Sequence, residues 1–442
     1  MQAPFHGPLL WDLSTVAAAS AVLSACAAEQ RLEVPGTAAE TVHYANALWF
    51  DGAAFAARDG YVRDGVFVEA PAGEPGETID LEGGYVVPAF AEAHHHMVLC
   101  NPEWIPQFLD AGITYVGIMN ARVSSRACQA ESHGPDGLEI SSALAGVTAR
   151  QAHPFQIGLY FLEAEEVEGE WVHYVDSAAE LETAWPRIAS TAPDFLKIFV
   201  SYSEDYETLR ADPELASWYR GLDPALVAPI VALAHEAQIR VAAHVMSASD
   251  FQVAVTGGVD IIAHMPGFAP GAAFTDDDPH PYLAMLTEHP ERYVISEAAA
   301  QEAAAGGVAV ITTVSKGEEP RPAPTPAPTP EVVRNFATLR TAGVPLLIGS
   351  DRGEFNSVDE AQYLVEHDLM PADEVLRSLA VTTPRALFPN RHIGELAPGG
   401  EATFVVLGAD PLADFGAIRD VRRVVKRGHQ LRPAATADAT SE

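Results

Sequence analysis

Cysteine and basic residues are scarce in this chain of 442 residues. Its three cysteines are too few for a fold that depends on a disulfide scaffold. Only 26 Lys and Arg residues stand against 61 Asp and Glu residues, so the formal net charge is −35. A surface this acidic repels nucleic acids and anionic lipid head groups, and it suits a salty or extracytoplasmic setting.

The rest of the composition is that of a folded protein. Apolar residues make up 48% of the chain and charged residues 20%, which indicates a globular rather than a disordered protein. The length allows one large domain and a smaller one, with a sizeable core.

The amino terminus has the pattern of an export signal. Small apolar residues from Val16 to Val22 precede Leu23-Ser24-Ala25-Cys26, and the length of this stretch is typical of a secretory signal rather than of a membrane span. The Leu-Ser-Ala-Cys order resembles the lipobox of bacterial lipoproteins, although no Lys or Arg precedes Cys26. We therefore expect residues 1–26 to be a leader, and the chain to be exported to the periplasm or anchored to a membrane by a lipid on Cys26.

Export would also allow disulfide formation. In an oxidising compartment Cys100 and Cys128 can pair, provided that the fold brings them together.

Two β-rich flanks surround a long middle segment. Residues 41–87 have short alternating runs separated by Asp-Gly and Gly-rich turns, the pattern of β-hairpins. Residues 402–407 and 421–425 are again strand-like. We expect residues 40–86 and 393–430 to form one small β-sandwich domain built from both termini.

The middle segment, residues 87–392, alternates strands with amphipathic helices and so predicts a (β/α)8 TIM barrel. One helix is marked by Asp223 as its N-cap and Pro224 at its first position. Residues 316–330, rich in Pro and Glu, are expected to be a mobile loop or a lid after the seventh strand. The clear strands of this segment are 112–118, 195–200, 240–244, 259–264, 308–313 and 345–351.

Residues that can bind a metal stand where these strands end. His94 and His96 follow an apolar run, and side chains at i and i+2 of a strand share a face, so the two imidazoles can bind one ion. Strand carboxyl ends converge on one pocket in a barrel. Imidazoles with a carboxylate suit Zn²⁺ or another divalent metal. The other strand ends carry Lys197, His244, His264 and Asp351.

Each of these residues has a simpler interpretation. A His tract is also found as a solvated cluster, and a single strand-terminal His such as His244 is more often structural than a ligand. Several such residues at matching strand ends are hard to produce by packing alone, and the set as a whole favours a metal site.

The stretch Pro88–His96, with the order Pro-x-x-x-Glu-Ala-His-x-His, resembles the first-strand signature of the amidohydrolase superfamily. The resemblance spans residues 42–430 in order and is closest to the imidazolonepropionase- and prolidase-like branch. It implies metal-dependent hydrolysis of C–N bonds in an amide, a cyclic amide or a small dipeptide-like molecule. Further matching segments are Val-Ala-Ala-His244, Ile-Ala-His264, Ile-Gly-Ser-Asp351, Thr383–Leu387, Ile393–Gly399 and Ala409–Leu412.

The resemblance also implies a role for each residue of the set. His94 and His96 bind the more buried metal, and His244 and His264 bind the second metal. Lys197, carboxylated by CO₂, bridges the two metals. Asp351 is a ligand and the proton shuttle, which takes the proton of the metal-bound hydroxide to the leaving amine.

Lys197 leaves two alternatives open. A Lys inside an apolar strand must reach water, pair or lose its charge, because a bare buried ammonium is costly. Carboxylation turns it into an anion that bridges two metals. Otherwise the Lys reaches a carboxylate in the pocket, and the site holds one metal.

Three residues are candidates for substrate binding. His153 follows the third-strand region and is either a hydrogen-bond donor to substrate or a plain loop residue. Tyr202 lies just past the strand of Lys197. Arg352 follows Asp351, where the family often has a small residue, and it either clamps a substrate carboxylate or pairs with a surface acid. Glu92 and Ala89 also depart from the commoner Asp and Gly.

The sequence therefore predicts an enzyme with a small-molecule substrate, and it leaves the oligomeric state open. One alternative is a mononuclear deaminase or an N-acyl deacetylase on the same scaffold. Another is a non-catalytic metal-binding lipoprotein that keeps only the fold. The intact ligand set, which includes Asp351, favours an enzyme.

Overall fold

A computed structural model of the chain describes residues 40–96, 104–212, 217–267, 286–315, 327–351 and 355–432. Buried alternating or apolar runs form the strands, and capped amphipathic segments form most of the helices. None of the helices in these ranges has the length and the hydropathy that crossing a membrane requires.

The strands are β1 (Val42–Phe50), β2 (Phe55–Arg63), β3 (Val66–Val68), β4 (Glu77–Pro88), β5 (Phe90–His96), β6 (Ile113–Asn120), β7 (Glu139–Ser142), β8 (Gly146–Thr148), β9 (Val172–Tyr174), β10 (Phe195–Phe199), β11 (Arg240–His244), β12 (Ile261–Ala263), β13 (Ala309–Ile311), β14 (Leu346–Leu347), β15 (Phe404–Leu407), β16 (Val421–Lys426) and β17 (His429–Arg432).

The α-helices are α1 (Trp104–Asp110), α2 (Arg126–Ser132), α3 (Phe155–Gly158), α4 (Ala164–Glu170), α5 (Ala178–Ser190), α6 (Tyr206–Arg210), α7 (Pro224–Glu236), α8 (Ala248–Thr256), α9 (Glu297–Gly306), α10 (Pro330–Ala342), α11 (Ser357–Glu366), α12 (Ala372–Arg377) and α13 (Thr383–Leu387).

Strands from both ends of the chain form one mixed seven-stranded sheet in the order β17-β16-β15-β4-β1-β2-β3. The turn Asp64-Gly65, with φ of 53° and 77°, joins β2 to β3 and confirms the predicted hairpin. The sheet curls, because Phe67 of β3 exchanges backbone hydrogen bonds of 2.8 and 2.9 Å with Gly400 and Gly399, just before β15. The buried rings of Trp49, Phe67 and Phe404 pack together inside the curl.

The middle of the chain forms two parallel sheets, in the orders β14-β13-β12-β11-β10-β8-β9 and β5-β6-β7. Their strands are buried runs rich in Val, Ile and Ala, as expected when both faces of a parallel sheet are covered. Ala93 of β5 donates to the Ile348 carbonyl just past β14 (2.9 Å), and Asp194 just before β10 donates to Ser142 of β7 (2.9 Å). Backbone hydrogen bonds thus join β5-β6-β7 to the larger sheet at both edges.

The predicted strands of the middle segment correspond to β6 and β10–β14, and β11 has the predicted bounds. The helix start is confirmed as well: the Asp223 side chain caps α7 by accepting from the Ala225 backbone N–H (2.9 Å), and Pro224 is its first residue.

The predicted loop 316–330 lies mostly outside the described residues, but its predicted end at Pro330 was wrong. Pro330 begins α10, because Thr329 caps that helix by accepting from the Val332 N–H (3.2 Å).

The leader (1–26), Cys26 and Cys100 lie outside the described residues. Cys128 on α2 is disulfide-bonded, to a partner outside those residues. Its pairing with Cys100 stays a prediction.

Candidate metal centre

Strand β5 presents His94 and His96 to one side, as the period of a strand requires. Their Nε2 atoms lie 3.2 Å apart. His94 is buried, whereas the side chain of His96 is 34% exposed. The predicted shared face is therefore confirmed, and the more exposed ring of His96 stands on the open side of the pair.

Asp351 reaches the same point from the segment that follows β14. Its Oδ1 lies 2.8 Å from His96 Nε2 and 3.3 Å from His94 Nε2. Its backbone N–H donates to the His94 carbonyl (2.7 Å) with φ at 53°, a left-handed conformation that turns the chain at the strand end. Gly349 permits this close approach, since a Cβ there would lie 2.8 Å from the His94 nitrogen.

His264 and His244 extend the pair His94 and His96 into a row of four imidazoles. The His264 ring lies 4.7 Å from the His94 ring, and the His244 ring lies 4.7 Å from that of His264. His264 Nδ1 lies 2.9 Å from the Thr313 hydroxyl and 3.7 Å from Asp351 Oδ2. Both imidazoles are buried, and His264 contacts both His94 and Asp351.

Lys197 lies on β10, the strand that pairs with the strand of His244. It is 1% exposed on β10, and its Nζ is 5.7 Å from the centre of the Phe199 ring. Phe199 pairs in register with His244 of β11, and their rings are 5.7 Å apart. His244 ends β11 as predicted, whereas Lys197 is the middle residue of β10 and pairs in register with Ala242, so its predicted position at a strand end was wrong.

Of the three substrate-binding candidates, His153 lies beside the row, and Tyr202 packs in a separate cluster with Tyr219, Met246 and Tyr293. The His153 ring is 4.5 Å from the His244 ring, and His153 is buried. Tyr202 is buried in a left-handed conformation (φ 49°), and its ring stacks on Tyr219 at 5.7 Å. Arg352 lies outside the described residues.

Glu92 has a role that the sequence did not reveal. The carboxylate is fully buried, and it accepts from the His94 N–H (2.8 Å), the Ser350 N–H (2.9 Å) and the Ser350 hydroxyl (2.8 Å). Burial raises the pKa of Glu92 to about 8, although the hydrogen bonds oppose this rise. Glu92 thus fastens β5 to the end of β14, and its departure from the commoner Asp was the only signal in the sequence.

Asn120 and Asp250 were also missed. The Asn120 carbonyl lies 3.2 Å from His96 Nδ1. Asp250 accepts from the backbone N–H groups of Tyr202 (2.9 Å) and Met246 (3.0 Å), and so holds the loops after β10 and β11 together. A signal for Asp250 exists, because Ser247-x-x-Asp250 is a capping-box pattern and forms one at the start of α8.

The donor set fits a metal ion. One ligand atom each from His94, His96 and Asp351 lies within 4.8 Å of the others. The contact of His96 Nδ1 with the Asn120 carbonyl favours the tautomer with its proton on Nδ1, which leaves the Nε2 lone pair free to bind a cation. Two imidazoles and a carboxylate are a ligand set of catalytic zinc sites.

The fold is similar to those of solved hydrolases, although no protein-family model and no curated protein matches the sequence. A crystal structure of an amidohydrolase has 18% identity and a TM-score of 0.66, with 90% of this chain and all of that chain covered.

Two further structures agree. A prolidase complexed with N-methylphosphonate-L-proline has 19% identity and a TM-score of 0.64, with 89% of this chain and all of that chain covered. The ochratoxinase of A. niger has 14% identity and a TM-score of 0.65, with 91% and 98% covered. The chain therefore shares its fold with these solved hydrolases.

Proposed function

We propose that this chain is a member of the amidohydrolase superfamily and a metal-dependent hydrolase of C–N bonds in small molecules. The convergence of His94, His96 and Asp351, in a fold shared with amidohydrolases and prolidases, carries this proposal.

The proposal includes a (β/α)8 barrel over residues 87–392. Its support is the run of parallel strands joined at both edges of β5-β6-β7, with the candidate ligands other than Lys197 at their carboxyl ends. For residues 40–86 and 393–430 we propose a β-sandwich, supported by the curl of the first sheet around Trp49, Phe67 and Phe404.

In this proposal His94, His96 and Asp351 hold one divalent ion, for which Zn²⁺ is the leading candidate. Lys197, carboxylated, together with His244 and His264 would hold a second. When bound, such ions lower the pKa of water toward 7 and polarise a carbonyl group. The buried rings of His94 and His264 exclude bulk water from the inner side of the site.

Asp351 acts as the proton carrier. Its Oδ1 contacts the Nε2 atoms of His94 and His96, and its Oδ2 lies 3.7 Å from His264 Nδ1. A carboxylate so placed can accept the proton of the attacking water and deliver it to the leaving amine. Glu92 positions the backbone next to Asp351, because its carboxylate accepts hydrogen bonds from the N–H groups of His94 and Ser350.

The substrate enters over the more exposed side of His96, and His153, beside the imidazole row, contacts it together with Tyr202. Arg352 is proposed as a further contact on the strength of its position in the sequence. We propose an amide, a cyclic amide or a dipeptide-like molecule as substrate.

Residues 1–26 would direct export, and Cys26 would carry a lipid that holds the enzyme at a membrane facing the periplasm.

A mononuclear deaminase or N-acyl deacetylase is the second candidate. Among the described residues, one group of three possible metal ligands was found, and it consists of His94, His96 and Asp351. His244 and His264 are not part of this group, and a site for a single ion favours the second candidate.

Metal analysis combined with turnover of an amide panel tests the proposal. Wild-type protein should contain one or two divalent ions per chain and hydrolyse at least one amide. His96→Ala should lose metal and essentially all hydrolysis, since a small ligand set loses affinity steeply when one donor is removed. His429→Ala, on an exposed strand residue, should behave as wild type. Near-wild-type hydrolysis by His96→Ala, or a metal-loaded wild type that hydrolyses nothing, would contradict the proposal.

A further inference from the structure

Residues that follow three consecutive strands share an unusual backbone conformation. His264 after β12, Thr313 after β13 and Asp351 after β14 have φ of 83°, 44° and 53°. Thr313 is the exceptional one, because a β-branched residue rarely adopts a left-handed conformation. Such a conformation costs free energy, persists only where the surrounding contacts hold it, and is typical of functional sites. Two of the three residues are candidate ligands, whereas Thr313 has no role so far.

The conformation of Thr313 brings its hydroxyl against the ring of His264. The Thr313 Oγ1 lies 2.9 Å from His264 Nδ1, and both residues are buried. The Oδ2 atom of Asp351 lies 3.7 Å from the same nitrogen. Two oxygens on this side of the ring, one of them from a carboxylate, favour the tautomer with its proton on Nδ1. Nε2 is then the nitrogen of His264 that can bind a cation.

A buried carboxylate holds the two residues that come directly after Thr313. Glu360 of α11 is fully buried, and its Oε1 accepts from the Val314 N–H (2.9 Å) while its Oε2 accepts from the Ser315 N–H (2.8 Å). Burial raises the pKa of Glu360, although these hydrogen bonds oppose the rise. A carboxylate in this position is costly unless it is hydrogen-bonded, so both of its oxygens are used to hold the loop.

The first turn of α11 is itself fixed to the rest of the fold. The Asn356 side chain accepts from the Val358 N–H (2.9 Å), and the Asp359 side chain accepts from the Asn356 N–H (3.0 Å), which together form a capping box. Asp359 also lies 2.6 Å from Arg419, which precedes β16. The Glu360 carboxylate therefore starts from an anchored helical turn.

We propose that Thr313 and Glu360 are positioning residues of the metal centre. The Thr313 hydroxyl accepts from His264 Nδ1 and leaves Nε2 for the cation, and Glu360 holds Thr313 in its left-handed conformation. The inference rests on the proposed function and deepens it, because it states what orients the imidazole of His264. Hydrogen-bonding partners of metal-binding histidines fix the tautomer and the ring orientation in this way.

The Zn²⁺ affinity of the full chain, measured by competition with a chromophoric chelator, is the first test. The ion concerned is the one that His264→Gln no longer binds. Thr313→Val keeps the branched Cβ and removes only the hydroxyl, so the affinity for this ion should fall about 10- to 100-fold. Thr313→Ser keeps the hydroxyl and should stay within about threefold of wild type.

Thr114→Val is the matched control for these substitutions. Thr114 is fully buried on β6, and its hydroxyl has no hydrogen-bond partner in the part of the chain that the structure describes. Its loss should leave the Zn²⁺ affinity unchanged. Equal losses in Thr313→Val and Thr313→Ser would show that the shape of the side chain matters rather than its hydroxyl, and would overturn the inference.

The tautomer of His264 is the second readout, and it needs neither metal nor turnover. In metal-free protein with ¹⁵N-labelled histidine, above the pH range in which imidazoles titrate, the ¹H–¹⁵N couplings of the ring show which nitrogen carries the proton. The signals of His264 are those absent from His264→Gln. Wild type and Thr313→Ser should have the proton on Nδ1, and Thr313→Val should lose this preference. A wild-type His264 with its proton on Nε2 would contradict the inference.

A double-mutant cycle tests whether Glu360 acts through Thr313. Glu360→Gln offers one oxygen in place of two, so one backbone N–H loses its acceptor and the Zn²⁺ affinity should fall about 3- to 10-fold. Added to Thr313→Val, it should cause no further loss, because the hydroxyl that it positions is already absent. Glu366→Gln, on an exposed residue of the same helix, is the matched control. Full addition of the two losses would exclude the role of Glu360.

These readouts separate the inference from the proposed function, and the Thr313 variants decide it even if Glu360→Gln fails to fold. If Thr313→Val binds Zn²⁺ more weakly, Thr313→Ser does not, and wild type hydrolyses no amide, the positioning role stands and the hydrolase proposal fails. If wild type hydrolyses an amide and Thr313→Val equals it in Zn²⁺ affinity and turnover, the hydrolase proposal stands and this inference is wrong.

Discussion

Two lysines, Lys197 and Lys426, are each 1% exposed, and their surroundings differ completely. The Lys426 Nζ donates to the carbonyls of Gly134 and Gly137 at 2.7 Å and lies 2.9 Å from Glu139. The Lys197 Nζ lies over the Phe199 ring, beside a row of imidazoles. Lys426 is surrounded by a carboxylate and two carbonyls of the chain, whereas Lys197 lies over an aromatic ring that itself contacts His244.

The surroundings of Lys426 form an ion-pair cluster that joins the two parts of the fold. Glu139 on β7 contacts Lys426 of β16, Arg391 (2.6 Å) and Arg427 (3.0 Å), and Arg391 also contacts Glu401 (2.7 Å). Burial would raise the pKa of Glu139, but the hydrogen bond from Lys426 and the three cations outweigh it and lower the pKa. The cluster is complete without a ligand, which is the mark of a structural role.

The candidate metal centre differs from this ion-pair cluster in how its polar atoms are arranged. His94, His96 and His264 place ring nitrogens around the single carboxylate of Asp351, and the nitrogens face one another. Buried donor atoms that converge in this way point to a bound cation, while buried charges that pair off point to structure. This difference predicts which substitutions affect turnover and which affect stability.

The largest expected effect is on turnover, from Asp351→Asn. Asparagine keeps the shape of the side chain but cannot accept a proton, so turnover should fall by about 10² to 10⁴ with most of the metal retained. Steady-state kinetics on metal-analysed protein measures this. Unchanged turnover in metal-replete protein would exclude Asp351 as the proton carrier.

Lys197→Ala sharpens the contrast between the two lysines. If Lys197 is carboxylated and bridges two ions about 3.5 to 4 Å apart, the variant should lose the second ion and about 100-fold or more in turnover. A short carboxylic acid added in excess should partly restore both. A single ion in fully loaded wild type, with an ordinary amine at Lys197, would decide for the mononuclear site.

Lys426→Met should act on stability instead. The substitution removes one of the three cations around the Glu139 carboxylate and the donor to the Gly134 and Gly137 carbonyls, so the free energy of unfolding should fall by about 3 kcal/mol. Turnover per folded molecule should stay unchanged. Denaturant unfolding measures the stability, and a large turnover defect in Lys426→Met would break the comparison.

The smallest expected effect is on the pH dependence of stability and concerns His173 on β9. This buried group belongs neither to an ion-pair cluster nor to a set of converging donor atoms. It is 1% exposed, and neither ring nitrogen has a hydrogen-bond partner among the described residues. Burial, with help from Arg187, lowers the pKa of His173 to about 4. Between pH 4 and 6.5 the unfolded chain binds a proton that the folded chain does not, so stability falls as the pH drops through this window, by roughly 2 to 3 kcal/mol.

His173→Phe should remove that part of the pH dependence. Thermal unfolding between pH 4 and 8 measures it, with His429→Ala as the exposed control. The same slope in His173→Phe as in wild type would show that His173 is not the titrating group.

The local pattern of the chain was enough to predict much of the fold. The apolar runs that became β6 and β10–β14 and the capped start of α7 were predicted, because they depend on neighbouring residues only. The strands β7–β9 have three or four residues each and were not predicted, since so short a run has no clear period. The predicted loop was extended to Pro330 because the segment is rich in proline, but a proline is also well tolerated at the first position of a helix, and Pro330 begins α10.

The sequence by itself determined that His94 and His96 share a face and that the candidate histidine ligands end strands, because both follow from the two-residue period of a strand and from runs of apolar residues. Only the tertiary structure decided that Asp351 meets these two imidazoles, that Glu92 fastens their strands, and that the Thr313 hydroxyl contacts His264. Those contacts join residues far apart in the chain. Their distances depend on how parallel strands stack and on left-handed turns at strand ends, which no local pattern records.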